Sequence, residues 1–520
     1  MATDRITGAV LDIRQPHDIA SKLTGRPARI LETLPAFFLG LFVLAQPLSI
    51  AGSHIAYAGA AVAWVLRLAF VRRGILKSSP LDLPILLYLS LCAVSTLVSP
   101  LPASSWEGMR KVTIIFMVLL VAHNVPNSRR AKQLLAILFL SGLAGVIWAG
   151  WEYIDGVGLR IHNPVPGAAF YQAGIRDNDV ILQVDGHSIE KPKELLQRLN
   201  SEPPGKSMQL RVVHGGGIEI LKDAVPISIS PDSTPRPANL SALGMQIETD
   251  RPARARAFYS HYVTYAAVLD LLGCLAFGLW LAHRRHSPLS SAVFAGLFLA
   301  FTIALGMTLT RAAWLAFAFG CAVEVFFFLR HWSRLIIVSV VLILTAAGTS
   351  VAMHRWRGMG IIDMNDPGTA YRVLMWRDGM KLIQAHPWFG VGMNVVRDDS
   401  TKFDLEAYRE YGLQSHFHST PIEIGVDLGL LVLGCWIALM AVYWLMLARL
   451  VARTRGNADR FPHGLSLGIL GGTSALLVSS VAQYDFGDSV VVFLFWFLAG
   501  LALALQHKVQ RDMPSTRAAA

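Results

Sequence analysis

Long apolar segments separated by polar links run through most of the chain. A helix needs roughly 20 apolar residues to cross a bilayer, and we find about twelve segments that approach this length. They lie near residues 31–50, 54–71, 82–98, 109–124, 132–152, 259–283, 288–307, 309–329, 334–352, 420–448, 464–483 and 488–506. This pattern predicts an all-α polytopic membrane protein with about twelve transmembrane helices.

The links between these segments alternate in charge. The basic links contain Arg72, Arg73 and Lys77; Arg129, Arg130 and Lys132; Arg284 and Arg285; Arg330 and Arg334; and Arg449, Arg453 and Arg455. The short links 51–53, 99–107 and 484–487 contain neither lysine nor arginine. Because basic links stay in the cytoplasm, we predict cytoplasmic termini and outward positions for residues 153–258 and 353–419. In a Gram-negative cell the protein would lie in the inner membrane, with both segments in the periplasm.

The composition agrees with a membrane protein. Hydrophobic residues make up 53% of the chain, charged residues 16%, and the mean hydropathy is +0.47, whereas soluble proteins have about 25% charged residues. The net charge of +11 lies mostly in the links, so it indicates membrane orientation first and an anionic substrate second, not nucleic-acid binding. All four cysteines lie in apolar runs. We therefore expect no disulfide, metal site or cofactor.

The first outward segment has the pattern of a small α+β domain. The predicted elements are a short strand after Val157, a helix ending at Gly174, strand 180–184, helix 192–199, strand 208–213, a turn at 215–217 and strand 218–221. The Pro- and Arg-rich segment 230–256 is interpreted as a linker back to the membrane.

The run PGAAFYQAGIRDNDVILQVDG within this segment resembles a bacterial PDZ domain. The resemblance implies that the domain binds an extended peptide or a protein C-terminus by adding a strand beside a helix. The peptide cradle would then lie at Gly158, Leu159, Arg160 and Ile161. The alternative interpretation is a rigid spacer with a vestigial groove.

These patterns divide the chain into five parts. The parts are 1–153, a cytoplasmic tail with transmembrane helices 1–5; 154–250, a periplasmic PDZ-like domain; 251–352, a linker with helices 6–9; 353–419, a periplasmic loop; and 420–520, helices 10–12 with a cytoplasmic tail. The fourth part carries the candidate chemistry.

Basic side chains collect in this loop and at the helix that follows it. The candidates are Arg355, Arg372, Arg377, His416 and His418. Guanidinium groups bind phosphate oxygens in a bidentate manner and keep their protons, so the arginines suit a lipid-linked diphosphate. A histidine can take the proton from an acceptor hydroxyl that attacks a sugar's anomeric carbon. The alternative interpretation is that the charged residues form surface ion pairs and the histidines bond to backbone at a helix start.

Arg311 is a further candidate, because it lies at the outward end of a predicted span, apart from the basic links. An arginine at a helix end can simply extend its charge to the interface. The charge alternation disfavours an outward arginine, however, so we favour a functional role for Arg311.

Three motifs in the second half of the chain resemble the O-antigen ligase family. They are Thr310-Arg311-Ala312-Ala313-Trp314, the run from Tyr371 to Gly392, and the run from His418 to Leu431. The resemblance implies an all-helical membrane glycosyltransferase that takes a glycan from undecaprenyl diphosphate, works without metal and inverts the anomeric carbon. Arg311 and Arg372 would contact the diphosphate and His418 would activate the acceptor, with His416 as the alternative base.

The resemblance leaves the acceptor open. We expect ligation of O-antigen to lipid A-core, with protein O-oligosaccharyl transfer or O-antigen polymerisation as alternatives. The PDZ-like insert is not part of the usual ligase pattern, and it favours a protein acceptor or partner. A transporter with a PDZ sensor is an alternative from another class, but most charges outside the links lie at one face rather than along a central path. A PDZ-bearing protease is a third option, and we disfavour it because we identify neither an HExxH motif nor a nucleophile elbow of the Gly-x-Ser-x-Gly type.

Overall fold

The computed structural model describes residues 26–71, 78–201, 207–213, 225–229, 243–250, 254–330, 333–357, 364, 367–411 and 416–512. The predicted hairpin at 215–221 lies outside these residues. The first helices are α1 Arg26–Ala45, α2 Ile50–Val71, α3 Asp82–Val98, α4 Pro102–Val112, α5 Met117–Asn124 and α6 Ser128–Asp155. After the inserted domain come α9 Tyr262–His283, α10 Pro288–Met307, α11 Arg311–Phe328 and α12 Ser333–Arg357. Short helices α13 Pro367–Ala385, α14 Val395–Asp398 and α15 Glu406–Tyr411 precede α16 Thr420–Thr454, α17 Phe461–Ala482 and α18 Ser489–Asp512.

The predicted helical membrane architecture is confirmed. Among the described residues, 9 helices are long and apolar enough to cross a membrane, and the apolar stretches Ile30–Ala45 and Asp82–Val98 are shorter. The predicted span 109–124 differs, because a 3-10 turn at Thr113–Phe116 separates α4 from α5. The hydroxyl of Thr113 donates to the Arg110 carbonyl at 2.7 Å, and this side-chain bond competes with regular helix at a β-branched run.

Helices α9, α17 and α18 form the centre of the bundle. The apolar windows of α9 and α18 are each 89% buried, whereas that of α12 is 6% buried. Glycines on α17 allow close approach to α9: a Cβ at Gly468 would lie 2.6 Å from the Cα of Leu275. Small residues are the common means by which membrane helices pack closely.

The inserted domain is a six-stranded antiparallel sheet with two helices. Its elements are β1 Leu159–His162, α7 Ala169–Gln172, β2 Val180–Val184, β3 His187–Ser188, α8 Pro192–Ser201, β4 Met208–Val213, β5 Val225–Ile229 and β6 Gln246–Thr249. The strand order is β5-β4-β2-β1-β6, with β3 paired to β2. The strands predicted at 180–184 and 208–213 are present, whereas β6 lies within the segment interpreted as a linker.

The two ends of the bundle differ in chemistry. At one end Arg455 donates to the carbonyl of Phe327, and Lys132 lies 3.5 Å from Asp459. At the other end α6 enters the inserted domain, and α9 and α16 begin. The candidate site lies at this second end.

Candidate functional site

A cavity of about 490 Å³ opens at the end of the bundle where α9 and α16 begin. Its walls come from α4, the first residues of α9, α13, the segment around α14, residues 416–428 and the link before α18. Ligand pockets commonly have volumes of about 300–1,000 Å³. Segments far apart in sequence therefore enclose a space of the size that a substrate group needs.

The predicted pair His416 and His418 lines this cavity. The two rings are 4.1 Å apart between centroids, and Phe417 between them is buried in the apolar cluster of the loop. The backbone of His418 has a positive φ of 47°, which is uncommon for a residue other than glycine. This conformation and the anchor at Phe417 turn both rings toward the cavity.

The two histidines differ in their hydrogen bonds. The backbone N–H of His418 donates to Nδ1 of His416 at 3.2 Å, so the lone pair on that nitrogen already has a partner. Among the described residues, the ring nitrogens of His418 have no hydrogen-bond partner. The alternative interpretation predicted that both histidine rings bond to backbone at the helix start. The ring of His416 does so, and the ring of His418 does not.

Burial lowers the pKa of both imidazoles. The pKa of His416 falls to about 4 and that of His418 to about 2, first through desolvation and then through neighbouring positive charge, including that of Arg372. Both rings are therefore neutral at neutral pH. A neutral imidazole is the form that can accept a proton.

The predicted arginines separate into those that reach the cavity and those that do not. Arg372 on α13 lines it. Arg377 points elsewhere: its side chain is 58% exposed and lies 3.6 Å from Glu406. Arg355 is exposed near the end of α12, and Arg311 is half-buried at the first position of α11, so neither is among the lining residues.

A break in α16 joins the loop to the membrane helix. Gly429 has a φ of 86°, and a Cβ there would lie 2.3 Å from the carbonyl oxygen of Trp388. The backbone N–H of Leu430 donates to Pro387 at 2.7 Å, while Val391 donates back to Val426 at 2.8 Å. The motif Pro387–Gly392 therefore replaces hydrogen bonds that the helix loses at the break.

Two acids of α16 lie beneath the histidines. Glu423 and Asp427 are four residues apart, buried, and line the cavity. The Oε2 atom of Glu423 accepts the backbone N–H of Phe417 at 2.6 Å. This bond helps to hold the histidine turn in place.

The structure adds residues that the sequence did not single out. They are Lys111 near the end of α4, His261 before α9, and Tyr484 with Asp485 in the link before α18. Burial raises the pKa of Asp485 to about 7, against the opposing effect of hydrogen bonds from Ser479 and Ser480. One signal in the sequence was available for Lys111, because it is a cation at the outward end of a predicted span, like Arg311.

The open edge of the inserted domain is not where the resemblance placed it. In the predicted cradle, Gly158 directly precedes β1 and the residues Leu159 to Ile161 belong to it. Strand β1 pairs with β2 on one side and β6 on the other. Among the described strands, β6 pairs with β1 alone and lies beside α8. A peptide that adds a strand needs an unpaired edge beside a helix. The edge strands of this sheet are β5 and β6, and β6 is the one beside α8.

Comparison with known families agrees with the two resemblances. Residues 295–437 match the family described as O-Antigen ligase, and residues 160–213 match the PDZ domain. These matches confirm the resemblance to the O-antigen ligase superfamily and the presence of an inserted PDZ-like domain. They support a membrane protein of the glycan ligase or polymerase type, with a domain of a kind that binds peptides.

The chain is also similar to part of a bacterial protease. It is 30% identical over 133 residues to a protein of Bartonella henselae named "Probable periplasmic serine endoprotease DegP-like". The match covers 23% of this chain and 25% of that protein. The chain thus spans about a quarter of the relative's length.

A Gly-x-Ser-x-Gly sequence does occur in the chain, at Gly464–Gly468. A nucleophile elbow presents its serine on an exposed turn between a strand and a helix. Here the sequence lies inside α17, and Ser466 is buried with its hydroxyl donating to the His463 carbonyl at 3.0 Å. The motif is therefore part of helix packing rather than a protease site.

Proposed function

We propose that this chain, with its O-antigen ligase family segment at residues 295–437, transfers a glycan from undecaprenyl diphosphate to an acceptor hydroxyl. The reaction takes place on the periplasmic side of the bacterial inner membrane. Ligation of O-antigen to lipid A-core is the reaction that we favour. The observation that carries the proposal is the cavity in which His418 lies near the cation Arg372, with ring nitrogens that no described residue hydrogen-bonds.

His418 acts as the general base in this proposal. The acceptor oxygen attacks the anomeric carbon and gives its proton to His418, while the bond from that carbon to the diphosphate oxygen breaks. The electron pair of the broken bond leaves on the diphosphate, and Arg372 stabilises the added charge. One direct displacement of this kind inverts the anomeric carbon, and the cationic side chains neutralise the leaving group without requiring a metal.

Substrate binding would adjust the base. After desolvation, the low pKa of His418 comes from its electrostatic interactions with His416, Arg372 and His261, of which the guanidinium of Arg372 always carries a positive charge. A bound diphosphate offsets that charge, so it raises the pKa of His418 toward the value at which a base accepts a proton efficiently. The site would thus become more basic when the donor is in place.

Arg311 remains a proposed diphosphate ligand, on the strength of the motif at 310–314. The structure places Arg377 beside Glu406 and leaves Arg355 exposed, so we give these two arginines no role in the transfer step. The five-part division of the chain stays a proposal, with β6 now the last strand of the part at 154–250.

The test is complementation of a deletion strain, with lipopolysaccharide ladders and glycoprotein staining examined side by side. We expect the wild type to restore the ladder and His418→Ala to lose transfer by about 10²–10⁴-fold, the usual contribution of a general base. His416→Ala should lose less, since it removes a hydrogen bond of the turn. Activity that survives in His418→Ala but not in His416→Ala would make His416 the base.

Protein O-glycosylation is the second candidate function. The open edge of β6 favours it, because an extended segment of an acceptor protein would fit there. An unchanged ladder together with a lost glycoprotein band would move the assignment to protein transfer. Loss of neither product on deletion would contradict both candidates.

A further inference from the structure

Two neighbouring lysine and arginine side chains near the end of α4 have different surroundings. Arg110 is paired with Glu107 at 2.8 Å, and both side chains are more than half exposed. Lys111 lines the cavity. Among the described residues Lys111 has no ion pair and no side-chain hydrogen bond. Among the described residues, Lys111 is thus an ammonium group at the cavity wall without a close ion-pair partner, and its neighbour in sequence, Arg110, is a cation with one.

The break between α4 and α5 sets the position of Lys111. The 3-10 turn at Thr113–Phe116 begins two residues after it. The positive charge of Lys111 interacts with His416, Glu423 and Asp427, which line the same cavity. Lys111 therefore faces the same space as the proposed base.

The two arginines of the cavity have interactions of their own. Arg397 lies 2.9 Å from Asp398, and Arg372 has further contacts. Lysine carries a compact, strongly hydrated charge on a flexible stem. Lys111 is exposed and lines the cavity, so its ammonium group can meet an anionic group that enters there.

The buried acids Glu423 and Asp427 do not serve as the anion that binds Lys111. Both are buried on α16, Glu423 is bonded to the Phe417 backbone, and neither forms an ion pair with Lys111 within the described residues. Lys111 also lies outside residues 295–437, so the match to the ligase family does not cover it.

We propose that Lys111 binds a phosphate group of the substrate, as a second anion-binding position in the cavity besides Arg372. This inference rests on the proposed function. The phosphate belongs either to the diphosphate of the donor or to a phosphorylated acceptor such as lipid A-core. In both cases Lys111 would direct a charged group of the substrate toward His418.

The experiment uses the full chain in nanodiscs, with Lys111→Met, Lys111→Arg and, as the matched control, Arg110→Ala. Undecaprenyl diphosphate is the binding probe, and transfer is measured with donor and acceptor varied separately. We expect Lys111→Met to raise the Kd for the probe and the donor KM by about tenfold, as loss of one charge-assisted hydrogen bond does. Lys111→Arg should restore most of the affinity, and Arg110→Ala should resemble the wild type.

A tenfold rise confined to the acceptor KM would assign the phosphate to the acceptor, and the anion site would stand. An unchanged Kd together with unchanged KM values in Lys111→Met would overturn the proposal. A lower melting temperature of Lys111→Met with an unchanged Kd for the probe would overturn the proposal too. It would indicate instead that Lys111 stabilises the fold by balancing the charge of Glu423 and Asp427. A wild type that binds the probe but transfers no glycan would refute the proposed function and leave this site in place.

Discussion

His416 and His418 are separated by one residue and have different capacities to accept a proton. Nδ1 of His416 accepts a backbone N–H, whereas the ring of His418 has no hydrogen bond among the described residues. Both are buried, so both have a lowered pKa. Their environment, rather than their residue type, distinguishes the structural histidine from the candidate base.

These pKa shifts predict a particular pH dependence. Because the pKa values are about 4 for His416 and about 2 for His418, both rings stay neutral in the free enzyme down to about pH 5. We expect kcat/KM to show no loss from histidine protonation between about pH 5 and 8. A bound diphosphate raises the pKa of the base, so kcat should fall at a higher pH than kcat/KM does. A kcat/KM profile that falls near pH 6.5 would show that burial does not depress these groups.

Arg372 and Arg377 form a matched pair on α13. Arg372 lines the cavity, whereas Arg377 lies beside Glu406. We expect Arg372→Ala to lower kcat by about 10²–10³-fold, because it removes a charge that stabilises the leaving group. Arg377→Ala should change kcat by less than about twofold, since exposed ion pairs contribute little. Equal losses in purified, folded variants would return Arg377 to the diphosphate site.

The break at Gly429 shows how one element positions the site. A continuous helix would leave the 387–392 segment without partners, and the break supplies backbone groups on both sides. The loop in turn carries the cavity residues Met393 and Asn394. The sequence Asp427-Leu428-Gly429 is therefore a structural joint between the loop and the membrane helix.

Gly429→Ala tests this joint. The positive φ and the 2.3 Å approach to Trp388 leave no room for a methyl group, so we expect a cost of about 1–3 kcal/mol and a lower melting temperature. Gly434 on the same helix is the control, because a Cβ there meets nothing within 4 Å. Gly434→Ala should keep or slightly raise stability. Equal behaviour of the two variants would argue against a strained joint.

At the scale of the whole molecule, a short segment of chain leads from the last strand of the inserted domain to the cavity wall. The backbone N–H of Asp250, just after β6, donates to Gly158 at 2.9 Å, and Arg160 lies 2.7 Å from the Asp250 carboxylate. About ten residues later the chain reaches His261 at the cavity wall. The edge strand β6 of the inserted domain therefore lies only a few residues before the cavity residue His261 in the sequence.

Hydrogen–deuterium exchange tests the edge of the domain. Amides alternate between the two sides of a strand. Because the backbone amide of Asp250 donates toward β1, the backbone amides of Thr249 and Ile247 face away from β1. We expect these two amides to exchange fast in the full chain and to slow when a peptide with a free C-terminus binds. Protection on peptide binding that is confined to residues 158–161 would instead support the peptide-binding position predicted from the sequence.

The local pattern of the chain determined the class of protein, most helix positions and the histidine turn. Apolar length sets the spans, and link charge sets a predicted orientation, so both are readable one segment at a time. The strand at 180–184, a short apolar run, and the Asp185-Gly186 sequence that follows it are equally local. These features depend on neighbours within a few residues.

Tertiary structure alone decided which charged side chains share a space. Arg372 and Arg377 look alike in sequence, as do Arg110 and Lys111, and only the packing of distant helices assigns one of each pair to the cavity. The same holds for β6, a four-residue strand whose partner β1 lies more than eighty residues earlier. Contacts of this range depend on how whole helices and strands pack, because no spacing within a single segment specifies them.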